Sequence, residues 1–178
     1  MGLYVIRHGE TFGNVARVMD GRRESQLNDN GKRQASEACD KLKDVSFDMV
    51  FCSPLGRAIE TMRIVTKERF PVTIAEDVIE RSCGEFEGVP FETIDRDKYW
   101  DYYDDTKYIS AESIKDLFDR VYVFLERIKK DYKDKNVLIV THNGVTKAIR
   151  CYFEGIPEDG KLLNIGQANC EIKKYDWE

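Results

Sequence analysis

Leu3-Tyr4-Val5-Ile6-Arg7-His8-Gly9-Glu10-Thr11 and Asn136-Val137-Leu138-Ile139-Val140-Thr141-His142-Asn143-Gly144 decide the fold. Each is a short apolar run with the look of a buried strand, and each is followed at once by one of the chain's only 2 histidines. In open α/β sheets, ligands bind just beyond the carboxyl ends of the strands. Imidazole is also the side chain best suited to proton or phosphoryl transfer near neutral pH. Two histidines in one local setting therefore point to a single active site.

Working outward, strand-like runs alternate with helical periods, which predicts βαβ units. The expected architecture is α/β, a three-layer α/β/α sandwich. Its central sheet is mixed and mostly parallel, with one antiparallel edge strand. The first strand covers about 2–6. A helix spans about 29–43, with Asn28 as N-cap and Ala35, Ala38, Cys39 and Leu42 on one face. Phe47–Cys52 is a second strand, and Ser53-Pro54 reads as an N-cap and N1 proline opening the next helix. Val72–Ala75 is a short third strand. Residues 111–131 carry Ile114, Leu117, Phe118, Val121, Leu125 and Ile128 at helical spacing. Val137–Thr141 is too apolar for an edge, and a helix follows over about 143–154. Ala168, Cys170 and Ile172 alternate with polar residues, as in a half-exposed antiparallel edge strand.

The length of 178 residues and the absence of linkers or repeats predict one domain over 1–178. With 42% hydrophobic and 34% charged residues, the composition is that of a globular protein. The net charge of -5 argues against general binding to nucleic acid. No apolar run approaches the roughly 20 residues of a membrane span, no signal peptide is visible, and Ile6 breaks a myristoylation motif. A cytoplasmic location is the expectation. The 5 cysteines form no Cys-x-x-Cys pair, so neither a disulfide framework nor a zinc site is expected. Cys52 to Arg57 is one residue too short for the phosphate loop of a cysteine phosphatase.

Residues 86–110 fit no strand order. They carry Phe86, Phe91, Tyr99, Trp100, Tyr102, Tyr103 and Tyr108 among many acidic residues. Two roles stand open for this excursion: aromatics packed onto the domain, or a lid over the substrate.

Around His8 the residue types suit an anion. Arg7 precedes it, Gly9 follows it, and Thr11 and Asn14 lie in the next loop. Arg57 falls in the first turn of a helix that itself follows a strand. Guanidinium groups match phosphate oxygens in a two-pronged geometry and keep their charge.

These residues carry a family resemblance. Arg7-His8-Gly9-Glu10-Thr11-Phe12-Gly13-Asn14 resembles the signature of the histidine phosphatase superfamily, in its phosphoglycerate-mutase-like branch. Cys52 to Ala58 resembles its second signature. Ile79 to Gly88 is similar to the segment bearing its acid/base glutamate. Ala111-Glu112-Ser113, Arg120 and Val140 to Gly144 complete an ordered series.

The resemblance implies that His8 is the nucleophile and forms a phosphohistidine. Arg7, Asn14 and Arg57 bind phosphate, and His142 donates to a phosphoryl oxygen. Glu80 protonates the leaving group and then activates water, with Glu85 and Glu87 as competitors for that role. Two departures stand out. Glu24 and Asn28 replace Asp and Thr of the family's Gly-x-x-Asp-x-x-Leu-Thr, and Ala111 replaces a glycine.

The implied reaction is hydrolysis of small phosphomonoesters. A mutase would use the same intermediate, but metabolic mutases of this family carry extra loops and a tail that seal the site from water. The stretch after residue 154 is short by comparison. Asp95, Asp97, Asp101, Asp104 and Asp105 near the mouth would repel bisphosphates, and the aromatics would favour a ring-bearing leaving group. Two readings from other classes are a metal hydrolase on His8 and His142, which lacks further ligands, and a non-catalytic phospho-ligand binding module. No metal or organic cofactor is implied. The partner is a small phosphorylated metabolite, not nucleic acid or membrane, and oligomeric state is not legible.

Overall fold

We describe a computed structural model covering residues 1–104 and 106–177. The strands are β1 (Gly2–Arg7), β2 (Met49–Cys52), β3 (Val72–Ile74), β4 (Asn136–Thr141) and β5 (Ile172–Tyr175). The helices are α1 (Phe12–Ala16), α2 (Asp29–Lys41), α3 (Gly56–Thr66), α4 (Arg96–Tyr99), α5 (Ile114–Tyr132) and α6 (Asn143–Glu154). The sheet order is β3-β2-β4-β1-β5, parallel throughout except for β5, which runs antiparallel to β1. This is the expected mixed sheet with one antiparallel edge.

Side chains alternate across the sheet and so feed two cores. Leu3, Val5, Phe51, Val137 and Ile139 pack with Leu117, Val121 and Phe124 of α5 and with Val145 and Ile149 of α6. Ile6, Val50, Cys52, Leu138 and Val140 meet Ala35 and Ala38 of α2 and Ala58, Met62 and Val65 of α3. Helices therefore cover both faces, giving three layers. β4 lies between β1 and β2, which explains its unbroken apolar run. None of the helices among the described residues is long and apolar enough to cross a membrane.

Three local expectations are corrected. Helix α3 begins at Gly56 with Leu55 at its N-cap, not at Ser53-Pro54. The Ser53 hydroxyl is engaged elsewhere, bonded to His142. The acceptor at the start of α3 is Glu24, whose Oε2 takes the Gly56 N–H at 3.2 Å. Second, β5 starts at Ile172 because Cys170 sits at φ 53, which breaks the extended run. Third, the acidic residues of the excursion are not gathered at the site. Asp95 caps α4, and Asp101 and Asp104 border a different cavity. Asp105 lies outside the described residues.

The excursion's aromatics are packed. Tyr99 and Trp100 are buried, and Phe86, Tyr99 and Tyr108 meet mostly edge to face. Its short helix α4 nevertheless brings Arg96 and Trp100 to the wall of the site described next.

Candidate active site

β1 and β4 are parallel neighbours in a register that pairs Arg7 with Thr141. The next residue on each chain is a histidine. His8 N–H still donates to the Thr141 carbonyl at 2.9 Å, so the two imidazoles emerge together. Their ring centroids are 5.1 Å apart. Gly9 owes its place to close approach, since a Cβ there would lie 2.5 Å from the Gly31 carbonyl oxygen of α2. Loop and helix are thereby locked behind His8.

Each histidine is held by one nitrogen. His8 Nδ1 lies 2.7 Å from the Gly9 carbonyl, so Nδ1 carries the proton and Nε2 keeps its lone pair. His142 Nε2 lies 2.6 Å from Ser53 Oγ, which in turn accepts the Leu55 N–H. The Ser53 hydroxyl can give its proton to Nε2 of His142, the tautomer that leaves Nδ1–H as a donor. That Nδ1 is buried with no partner among the described residues.

Burial, then Arg7 and Arg57, hold the His8 pKa well below the ordinary 6.5. Burial, then Arg57, His8 and Arg7, do the same to His142. Both rings are neutral in the free protein near pH 7. With only 2 histidines, the imidazole NMR spectrum reports on this site alone. We expect neither Cε1–H resonance to titrate as pH falls from about 8 to 6, whereas both titrate near 6.5 in urea. The sign for stability follows. The unfolded chain takes up protons below 6.5 that the folded one refuses, so these groups stabilise the fold above that pH and progressively less below it.

Arg57 is buried and Arg7 partly buried, and both are cations anchored on carbonyls. Arg7 Nη1 donates to Gln167 at 3.0 Å, and Arg57 donates to Arg23 and Gly21 at 2.8 and 2.7 Å. Neither pairs with a carboxylate among the described residues, and the Nε of each is without a partner. Charges withdrawn from water are ordinarily paired, so two adjacent ones of like sign mark an anion site. Asn14 lines the same cavity. Its carbonyl oxygen takes the Thr11 N–H and the Asn169 amide, so its NH2 is what it offers to the cavity.

Glu80 faces the start of α6, where both carboxylate oxygens accept the Gly144 N–H at 3.1 and 3.3 Å. Gly144 is required there, because a Cβ would lie 2.4 Å from Glu80 Oε1. Arg120 clasps the Glu80 segment through the Asp77 and Ile79 carbonyls and is itself held by Glu112. Arg22 donates to the Glu80 carbonyl and to Glu112. Glu85 and Glu87 are occupied with the N–H groups of Ile109 and Arg22, respectively.

Arg7, His8, Asn14, Arg57 and Glu80 line one cavity of about 100 Å³, together with Asp20, Arg81, Arg96, Trp100 and Leu163. His142 stands against His8 at its base. All six residues expected from the sequence thus converge. Gln167 and Asn169, which brace Arg7 and Asn14, carried no sequence signal. A larger cavity of about 410 Å³ lies behind Arg81, away from both histidines. Among the described residues no group of three or more His, Cys, Asp or Glu could hold a metal ion, which leaves the metal-hydrolase reading without a ligand set.

A doubly covered α/β sheet with paired histidines and arginines at its strand ends defines an enzyme of phosphoryl transfer. The chain belongs to the histidine phosphatase superfamily (branch 1), which matches residues 3–178. It is 34% identical to the uncharacterized phosphatase PhoE of Bacillus subtilis, over 97% of this chain and 89% of that one. It is 30% identical to a metal-independent phosphoserine phosphatase of Arabidopsis thaliana, over 98% and 78%. The solved structure of Bacillus stearothermophilus YhfR superposes with a TM-score of 0.85 at 30% identity, covering 94% of this chain and 86% of that one.

Proposed function

We propose that the chain is one catalytic domain that hydrolyses small phosphomonoesters through a phosphohistidine on His8. The observation that carries this reading is the arginine pair, Arg57 buried and Arg7 partly so, without a carboxylate partner among the described residues and set beside an imidazole that burial keeps neutral.

His8 Nε2 attacks phosphorus along the line of the ester bond, and the bond to the leaving oxygen breaks. Glu80 serves as the general acid that gives a proton to that oxygen. In the second step water attacks phosphorus, Glu80 takes the water proton, and the P–N bond breaks to return His8. Arg7, Arg57, the Asn14 amide and the His142 Nδ1–H meet the three phosphoryl oxygens. The arginines supply the positive charge, so the reading needs no metal. Hydrolysis is favoured over transfer to a second metabolite by the phosphatases among the similar proteins. Phe91, Arg96 and Trp100 line the wall met by the leaving group. Five free, buried thiols suit a cytoplasmic enzyme.

Rapid-quench labelling with a 32P-phosphomonoester tests the intermediate. The expected product is a phosphoenzyme stable in alkali and lost in acid. A label stable in acid, or none during turnover, would count against it.

A further inference from the structure

Among the buried titratable groups that this mechanism does not use is a lysine. Lys147 sits in α6 with no exposed surface. Its Nζ donates to the carbonyls of Leu162 and Leu163, both at 2.5 Å, and stands 4.9 Å from the centre of the Trp100 ring. Taking an ammonium out of water is unfavourable, and an apolar residue would fill a helix face more cheaply. Burial indeed pushes the Lys147 pKa down to about 7, with Glu80 acting in the opposite sense.

What the cation holds is specific. Two segments distant in sequence meet above it. Leu162 N–H donates to the Trp100 carbonyl at 2.9 Å, Tyr102 N–H donates to Gly160 at 2.8 Å, and Asp101 bridges Lys161. The Leu162 and Leu163 carbonyls turn inward from this patch onto Nζ. Trp100 and Leu163 also line the catalytic cavity. The Trp100 ring reaches the same spot as Glu80, since a Cβ on Gly144 would lie 3.1 Å from Trp100 Cη2. The phosphate-binding groups are braced separately, by Gln167, Gly21, Arg23 and Asn169. Among the described residues the Lys147 side chain makes hydrogen bonds to Leu162 and Leu163 and to none of those braces.

We infer that Lys147 is a positioning residue for leaving-group recognition, fixing Trp100 and Leu163 as one wall of the cavity while leaving the phosphate subsite untouched. The inference rests on the phosphatase reading above. It goes further by dividing the site into a phosphate end built on the sheet and a leaving-group end built on two loops packed over the buried Lys147.

The test compares Lys147→Met with Lys147→Arg, using p-nitrophenyl phosphate as substrate and inorganic phosphate as inhibitor. For Lys147→Met, KM is expected to rise about tenfold with kcat within about threefold, while phosphate inhibition stays within about twofold. Lys147→Arg, which keeps the charge and the donors, restores KM. Trp100→Leu, which removes the wall and keeps the lysine, gives the same split and serves if Lys147→Met does not fold. In a Trp177→Phe background, Trp100 emission moves to longer wavelength in Lys147→Met but not in Lys147→Arg. KM and phosphate inhibition changing together, or neither changing, would overturn the assignment. A wild-type protein without phosphatase activity would instead overturn the parent reading, and Trp100 emission would still decide whether Lys147 holds the wall.

Discussion

His8→Ala should abolish turnover of p-nitrophenyl phosphate, with kcat falling on the order of 10⁴- to 10⁶-fold, as when a hydrolase loses its nucleophile. The fold should survive. Among the described residues the only hydrogen bond of this side chain is to its neighbour's carbonyl, and β1 remains paired on both sides. Phosphate binding should survive as well, because Arg7, Asn14, Arg57 and His142 are held by contacts that do not involve the His8 ring. The diagnostic result is therefore an inactive protein that still takes up inorganic phosphate by calorimetry. A variant with turnover near that of wild type would remove His8 from the mechanism.

Glu80→Gln should lower kcat by about 10²- to 10⁴-fold, or roughly 3–5 kcal/mol, with an effect that depends on the leaving group. Glutamine retains an oxygen for the Gly144 and Arg81 N–H groups, so the local geometry is kept. An alkyl phosphate needs a proton on its leaving oxygen, and there the first step should slow. p-Nitrophenolate leaves unaided, so the first step should stay fast while hydrolysis of phosphohistidine stalls. The expected signature is a burst of about one equivalent of p-nitrophenol and an accumulated phosphoenzyme. Equal slowing for both substrates with no burst would assign Glu80 a role in binding alone.

Much of this was legible because it is local. Val137–Thr141 declared a central strand by apolar content, and each histidine declared itself by following such a run. Asn28 capped α2 as its side chain chemistry predicts. What stayed hidden was long-range. Ser53 looks like an N-cap beside Pro54, but its hydroxyl is 89 residues away in sequence from the imidazole it serves. Gln167 and Asn169 reach Arg7 and His8 across more than 150 positions, with nothing in their neighbours to show it. The aspartates of the excursion misled for the converse reason. They adjoin Arg96 and Trp100 in sequence, yet only the latter two turn toward the cavity. Lys147 reads as one more polar residue of an amphipathic helix until both carbonyls beneath it are seen.

The register of β1 against β4 has a consequence for tolerance to change. Strand side chains alternate sides, so a slip of one residue would send His8 and His142 to different faces of the sheet. Insertions within either strand should therefore be lethal to activity even where the protein still folds. Length changes in the loop around Lys161 should alter only which esters are accepted. Evolution can retune this enzyme from its rim, but its alignment is written in the ladder of main-chain hydrogen bonds.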